Sequence, residues 1–164
     1  KHLRVPKVDD ISVNMGKVSD ENEEITASVE GKIWNGYNIN TGNPHAVVFV
    51  DSMDEVGDLS HPPVVRPKDE YPEGVNVEFV EFLPNGELKM RVHERGVGET
   101  LSCGTGACAV AAVVREQSGQ KINSIQIDLP GGTLQITFID GKMMMRGPAV
   151  LEETGTLPES WFTN

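Results

Sequence analysis

The 164 residues include only two cysteines, aromatic side chains make up 5%, and 14 Lys and Arg face 25 Asp and Glu. Each shortage excludes something. Two cysteines do not make a disulfide framework, and a reducing cytoplasm is the simpler setting for them. The excess of acid gives a formal net charge of -11. That field repels phosphate backbones and anionic membrane surfaces, so neither nucleic acid nor membrane is an expected partner. It leaves room for an anionic small substrate, because a local site can oppose the global field. No apolar run approaches the roughly 20 residues of a membrane-spanning helix, and no secretory signal pattern is present. The His and Cys spacings form no zinc pattern, and no Rossmann or P-loop glycine fingerprint follows a strand. Neither a metal nor a cofactor is expected. The chain opens at Lys1 without an initiator Met and reads as a mature, trimmed or partial chain.

With so few aromatics the core must rest on Val, Ile, Leu and Met, and the length suits a single domain spanning residues 1–164. Ile11 to Met15 alternates as a strand does, and Ile25, Ala27 and Val29 repeat at period two after an acidic, exposed turn. Another extended stretch runs from Ile33 to Ile39. The turn-forming cluster Thr41-Gly42-Asn43-Pro44-His45 leads into the continuous apolar run Ala46 to Val50, the mark of a buried strand. Residues 51–73 are polar and Pro-rich, a surface connection with room for a short helix. Val75 to Leu83 is a strand, Pro84-Asn85-Gly86 a hairpin turn, and Leu88, Met90 and Val92 share the next strand's apolar face. After a glycine-rich stretch, Ala107 to Val114 is apolar all round and predicts a helix buried on every side. Ile125–Leu129, Leu134–Ile139, Met143–Arg146 and a segment from Val150 onward complete a β meander. The expected fold is α+β: a largely antiparallel sheet wrapped as a barrel-like roll around one central apolar helix.

The chemistry concentrates around that helix. Cys103 precedes Gly104-Thr105-Gly106 at its start. Free backbone N–H groups and the helix dipole there favour a thiolate, and the same groups can hold a substrate carboxylate. Cys108, five residues on and inside the apolar run, reads as a core residue on another face, too far round the helix to bond Cys103. Glu94 ends the strand of Leu88, Met90 and Val92 and by alternation points where they point. Partial desolvation favours its neutral form and makes it a proton partner for a thiol, against the equal alternative of a strand end turned to solvent. Arg95 can bind a carboxylate with two parallel hydrogen bonds, or stand as a solvated loop charge. His45 sits in a loop at a strand end, where catalytic groups are common. His2, His61 and His93 read as surface residues. Asn43 and Asn76 can orient a polar ligand or cap turns.

These segments together resemble diaminopimelate epimerase. The matching stretches are Gly42-Asn43-Pro44-His45, Gly74-Val75-Asn76-Val77-Glu78-Phe79, Arg91-Val92-His93-Glu94-Arg95-Gly96, and Gly98-Glu99-Thr100 through Cys103-Gly104-Thr105-Gly106-Ala107-Cys108-Ala109. The resemblance runs from about Val13 to Val150, but only to one half of that family, the C-terminal of two similar domains that face each other across the active site. It implies a cofactor-independent epimerase converting LL-2,6-diaminopimelate to the meso form in lysine and peptidoglycan precursor biosynthesis. Each domain supplies one catalytic cysteine, and no Cys precedes Cys103 here. On this reading Cys103 is one acid/base thiol, Glu94 its proton partner, and His45 serves the thiol of the other half. Asn43, Asn76, Glu94 and Arg95 hold the substrate's distal amino-acid group, and the Gly104 and Thr105 N–H groups hold the reacting carboxylate. The implied partners are the amino-acid substrate and the N-terminal half, with a homodimer left open, and the chain by itself is expected to be inactive. Two rivals stand beside this reading: a non-catalytic module for assembly or ligand binding, and a Cys–His hydrolase built from Cys103 and His45.

Overall fold

The alternation read in the sequence becomes strands where one face packs on a core and the other meets solvent, as in Ser124–Leu129, where every second residue is buried. The computed structural model describes residues 11–149, which places the strand expected from Val150 onward outside the described residues. The strands are β1 (Ile11–Gly16), β2 (Ser19–Val29), β3 (Lys32–Asn40), β4 (Pro44–Val50), β5 (Val64–Arg66), β6 (Asn76–Phe82), β7 (Leu88–Glu94), β8 (Gly98–Thr100), β9 (Ser124–Leu129), β10 (Gly132–Ile139) and β11 (Lys142–Gly147). Helix α1 (Gly104–Gln117) lies between β8 and β9. The acidic segment expected as a turn is continuous with β2.

All eleven strands form one sheet, in the order β1-β11-β10-β9-β7-β6-β4-β3-β2-β5, with β8 added alongside β7. The sheet is mixed. Most neighbours are antiparallel, but β4 pairs with β6 in parallel, as do β7 and β9. It is also open: β1 and β5 are its two ends, and among the described residues no pairing joins them. The hydrogen bonding thus gives the expected largely antiparallel sheet with one helix, as an open mixed sheet and not a closed barrel.

Strand β4 explains its own composition. Val47 lies in the core shared with α1, while Ala46, Val48 and Val50 lie in a second core on the opposite face. A strand buried on both faces must be apolar throughout, as the parallel pair with β6 requires. The second core includes Met53, Val56, Leu59, Val65 and Tyr71, all from the connection between β4 and β6. That connection is thus more than a surface tether: two short 3-10 turns (Met53–Glu55 and Lys68–Glu70) and β5 pack it against the sheet.

Helix α1 is as buried as its composition demands. Gly106 to Ala111, Val113 and Val114 are all buried, and the helix packs against β3, β4, β6, β10 and β11. Its one late cation, Arg115, lies over the Phe138 ring at 4.4 Å. Alanines at 107, 109 and 111 let the sheet approach closely, which brings the helix N-terminus down onto the ends of β4, β6 and β7.

Candidate active site

Period-two geometry assembles the site before any side-chain detail is considered. Val47 of β4, Val80 of β6, and Leu88, Met90 and Val92 of β7 face α1. Counting by twos from these puts His45 on the same face of β4, Asn76 and Glu78 on that of β6, and Glu94 on that of β7. The parallel register sets His45 opposite Asn76 and Val47 opposite Glu78. Four polar residues therefore end the apolar face at the point where α1 begins.

Cys103 is the N-cap of α1, with extended backbone (φ -138°, ψ 109°). Its Sγ accepts the Gly106 N–H at 3.4 Å and lies 3.5 Å from the Thr105 hydroxyl. The sulfur does what a Ser or Asp oxygen does at other N-caps. The first backbone N–H groups of a helix have no acceptor within it; at α1 these include those of Gly104 and Thr105. A Cβ at Gly104 would sit 2.9 Å from the Met145 sulfur, so a side chain there would require the Met145 tip to move.

The thiol's acidity runs opposite to the expectation from the helix dipole. Burial pushes the Cys103 thiol above its ordinary range. The hydrogen bonds from Thr105 and Gly106 oppose this, and the Glu78 and Glu94 carboxylates add to it. A helix N-terminus lowers a thiol pKa where the sulfur is solvated or beside cations; here the neighbouring charges are both negative. Both cysteines are free, and Cys108, deeper in the helix, is pushed up to about 12 by burial and by Cys103.

His45 and Glu78 form a fully buried pair. His45 Nδ1 lies 2.7 Å from Glu78 Oε1, and neither side chain has any exposed surface. The other ring nitrogen, Nε2, lies 3.1 Å from Asn43 Oδ1, which also accepts the Thr41 hydroxyl. Burial raises the Glu78 carboxyl above its ordinary range; the charge and hydrogen bond of His45 pull it back, and Glu94 pushes the same way as burial. Among the described residues Glu78 Oε2 has no hydrogen-bond partner. Both ring nitrogens of His45 are engaged, and the Cys103 sulfur is held by Gly106 and Thr105, so the contact a Cys–His hydrolase needs is not made.

The remaining residues are more dispersed. Glu94 is half-buried and its Oε1 accepts the Thr100 hydroxyl at 2.5 Å; Thr100 Oγ1 also reaches the Ser102 carbonyl at 3.5 Å, which ties Glu94 to the turn before Cys103. Asn76 is buried, with its amide donating to the Pro44 carbonyl at 3.1 Å and its carbonyl accepting the Arg95 N–H at 3.0 Å. It fixes the starts of β4 and β6 and the end of β7 relative to one another. The Arg95 guanidinium is exposed and stands 3.9 Å from Glu73. His61 is exposed as expected, whereas His93 is buried, at 4%. It pairs with Val77 on the second-core face, which the β4–β6 connection covers, so His93 is not the surface residue expected from its sequence context. Glu78 was not singled out as a site residue. In an alternating strand a glutamate reads as the solvent side, and only the parallel pairing with β4 reveals both faces as buried.

Among the described residues no cluster of His, Cys, Asp and Glu could hold a metal ion, and no helix is long and apolar enough to cross a membrane. Residues 37–152 match the family model for diaminopimelate epimerase. Among curated relatives, the chain is 44% identical to the diaminopimelate epimerase of Streptomyces coelicolor, over 99% of this chain and 58% of that protein. It is 38% identical to that of Rhodococcus opacus, over 93% of this chain and 54% of that protein. The chain thus spans a little over half the length of these relatives. Its fold is similar to that of a predicted epimerase from Pseudomonas aeruginosa (TM-score 0.60, 14% identity, 92% of this chain and 62% of that one). It is also similar to that of a hydroxyproline epimerase from Agrobacterium vitis with bound trans-4-hydroxy-L-proline (TM-score 0.59, 17% identity, 85% and 50%). The match takes in the His45 turn, the Glu94 strand end and the Cys103 cap alike, and the chain belongs to the diaminopimelate epimerase family.

Proposed function

We propose that the chain supplies one half of the active site of a cofactor-independent amino-acid epimerase acting on LL-2,6-diaminopimelate. The carrying observation is Cys103 at the N-cap of α1, a thiol and an anion-binding helix end in one turn. In the reaction one thiolate takes the substrate's α-proton and a thiol on the opposite face delivers another, so the proton count is unchanged and the configuration inverts. The α-proton is very weakly acidic; the helix N-terminus offsets this by stabilising charge that develops on the carboxylate in a dry site. With its acidity suppressed by burial and two carboxylates, Cys103 rests as the proton-bearing thiol and acts first as donor, from its own face. It becomes the base in the reverse direction.

On the same reading Glu94 exchanges a proton with Cys103, and His45 serves the thiol of an N-terminal domain that the curated relatives have room for and residues 1–164 do not include. Asn43, Asn76, Glu94 and Arg95 face the distal amino-acid group. The family resemblance supports these roles, as does the convergence of His45, Asn76 and Glu94 on one sheet face. Contacts of α1 with strands as far apart as β3 and β11 support a sheet that curls about the helix.

The test is complementation. The chain alone is expected to show no LL-to-meso interconversion, and α-proton exchange with deuterated water is expected to return when the N-terminal half of a relative is added. Cys103→Ala then lowers the rate by about 10²- to 10⁴-fold. Full activity of that variant removes the thiol from the mechanism.

A further inference from the structure

The family reading gives Cys103, Glu94 and His45 their parts and leaves Glu78 without one. Yet Glu78 touches both proton-carrying elements of this domain. One oxygen is bonded to His45 Nδ1 at 2.7 Å. The same oxygen lies 2.6 Å from where a Cβ on Gly106 would be, and Gly106 is the residue whose N–H holds the Cys103 sulfur. The carboxyl is wholly enclosed, and its second oxygen has no hydrogen-bond partner among the described residues. Leaving such an atom unpaired in the interior costs stability; a neutral packing residue of similar shape would avoid that cost.

We propose that Glu78 is a positioning residue that couples the two: it fixes the His45 ring through a shared proton and sets its carboxyl against the first turn of α1, so that the proton on the His45–Glu78 pair and the proton on Cys103 are lost against each other. The balance is simple. While one proton lies between Glu78 Oε1 and His45 Nδ1, beside the one on Nε2, the pair is neutral overall. If the pair loses a proton it becomes an anion beside the sulfur, and Cys103 then holds its own proton more tightly. The reverse also holds, because the coupling is reciprocal. The titratable groups acting on Glu78 are His45 from β4 and Glu94 from β7; Glu78 and Glu94 both act on Cys103 at the start of α1. A site that works by keeping one thiol protonated while its opposite number is not has a use for such a link, and in this respect the inference rests on the proposed function.

The experiment uses the 164-residue chain and needs no turnover. Cys103 alkylation by iodoacetamide is followed by peptide mass spectrometry from pH 6 to 11, and the ring nitrogens of His45 by ¹⁵N NMR over the same range. In wild type the ring shifts of His45 are expected to move together with the alkylation inflection. Glu78→Gln, checked for folding by amide NMR, is expected to move that inflection to lower pH and to change the His45 tautomer signals, with Glu78→Asp between the two. A folded Glu78→Gln with an unchanged alkylation profile overturns the coupling. If that variant does not fold, independent titration of His45 and Cys103 in wild type overturns it. Inactive complemented enzyme would count against the epimerase reading, while these two titrations would stand or fall by themselves.

Discussion

The carboxylate oxygen of Glu78 occupies the space a side chain at residue 106 would need: an ideal Cβ on Gly106 falls 2.6 Å from Oε1 and 3.1 Å from both Cδ and Cγ. Glu78 cannot swing aside, because its Oε1 is bonded to His45 and the side chain is enclosed. Alanine for glycine in an ordinary helix interior gains about 1 kcal/mol. Here the sign reverses. Gly106→Ala is expected to cost about 1–3 kcal/mol by overpacking, roughly 2–4 °C in Tm per kcal/mol at this chain length. Thermal unfolding followed by circular dichroism checks it, and a stabilised variant would contradict the geometry.

Glu78 also sets a slope of stability against pH. Burial raises its carboxyl above the ordinary 4.5, so between that value and its folded-state value the folded chain binds more protons than the unfolded one. Stability on this account falls as pH rises through the window. Glu78→Gln removes the titration. The Tm of the variant minus that of wild type is expected to become more positive from pH 4.5 upward, and a difference that stays flat would contradict this. Cys103 acts in the same sense at higher pH, from 9.0 upward.

The two thiols should react in a fixed order. At pH 7 Cys103 is expected to alkylate more slowly than a solvated thiol, since burial and the Glu78 and Glu94 carboxylates oppose its ionisation. Cys108, pushed up to about 12, is expected to remain unmodified while the chain is folded. Thr105→Val removes a hydrogen bond that favours the thiolate and should slow Cys103 further. Faster labelling of Cys103 in that variant would reverse the assigned sign.

Asn76 is expected to be a large contributor to stability for a polar residue. Asn76→Ala leaves the Arg95 N–H and the Pro44 carbonyl without their side-chain partner, at about 1–3 kcal/mol for each group left unsatisfied. Urea unfolding measures the loss. Asn76→Asp keeps the acceptor for Arg95 and loses the donor to Pro44, so an intermediate value is expected.

Most strands and the buried helix were legible because period two and all-round apolarity are local signals. The placement of Glu94 followed from counting by twos along β7. What was not legible depended on partners distant in sequence. The covered face that buries His93 belongs to the β4–β6 connection, whose Met53, Val56 and Leu59 looked like surface residues among prolines and acids. The enclosure of Glu78 depends on β4 lying beside β6 and on α1 covering that face, neither of which is local in sequence. The acidity of Cys103 could not be read locally: the helix N-terminus is visible in sequence, whereas the burial that outweighs it, and the two carboxylates that add to it from β6 and β7, depend on the tertiary fold. Open sheet edges at β1 and β5 likewise cannot be read from strand count.

The parallel pairing of β4 with β6 has a kinetic consequence. His45 and Glu78 are 33 residues apart and meet only after the intervening connection has closed, and Cys103 joins them from a further 25 positions along the chain. Contacts of such separation form late and slowly, since the entropy of loop closure precedes any return from the contact. Hairpins such as β6–β7 and β9–β10 can form while the site does not yet exist. During refolding, resistance of Cys103 to alkylation is therefore a clock for completion of the fold, and it should appear after the strand signal in circular dichroism has plateaued.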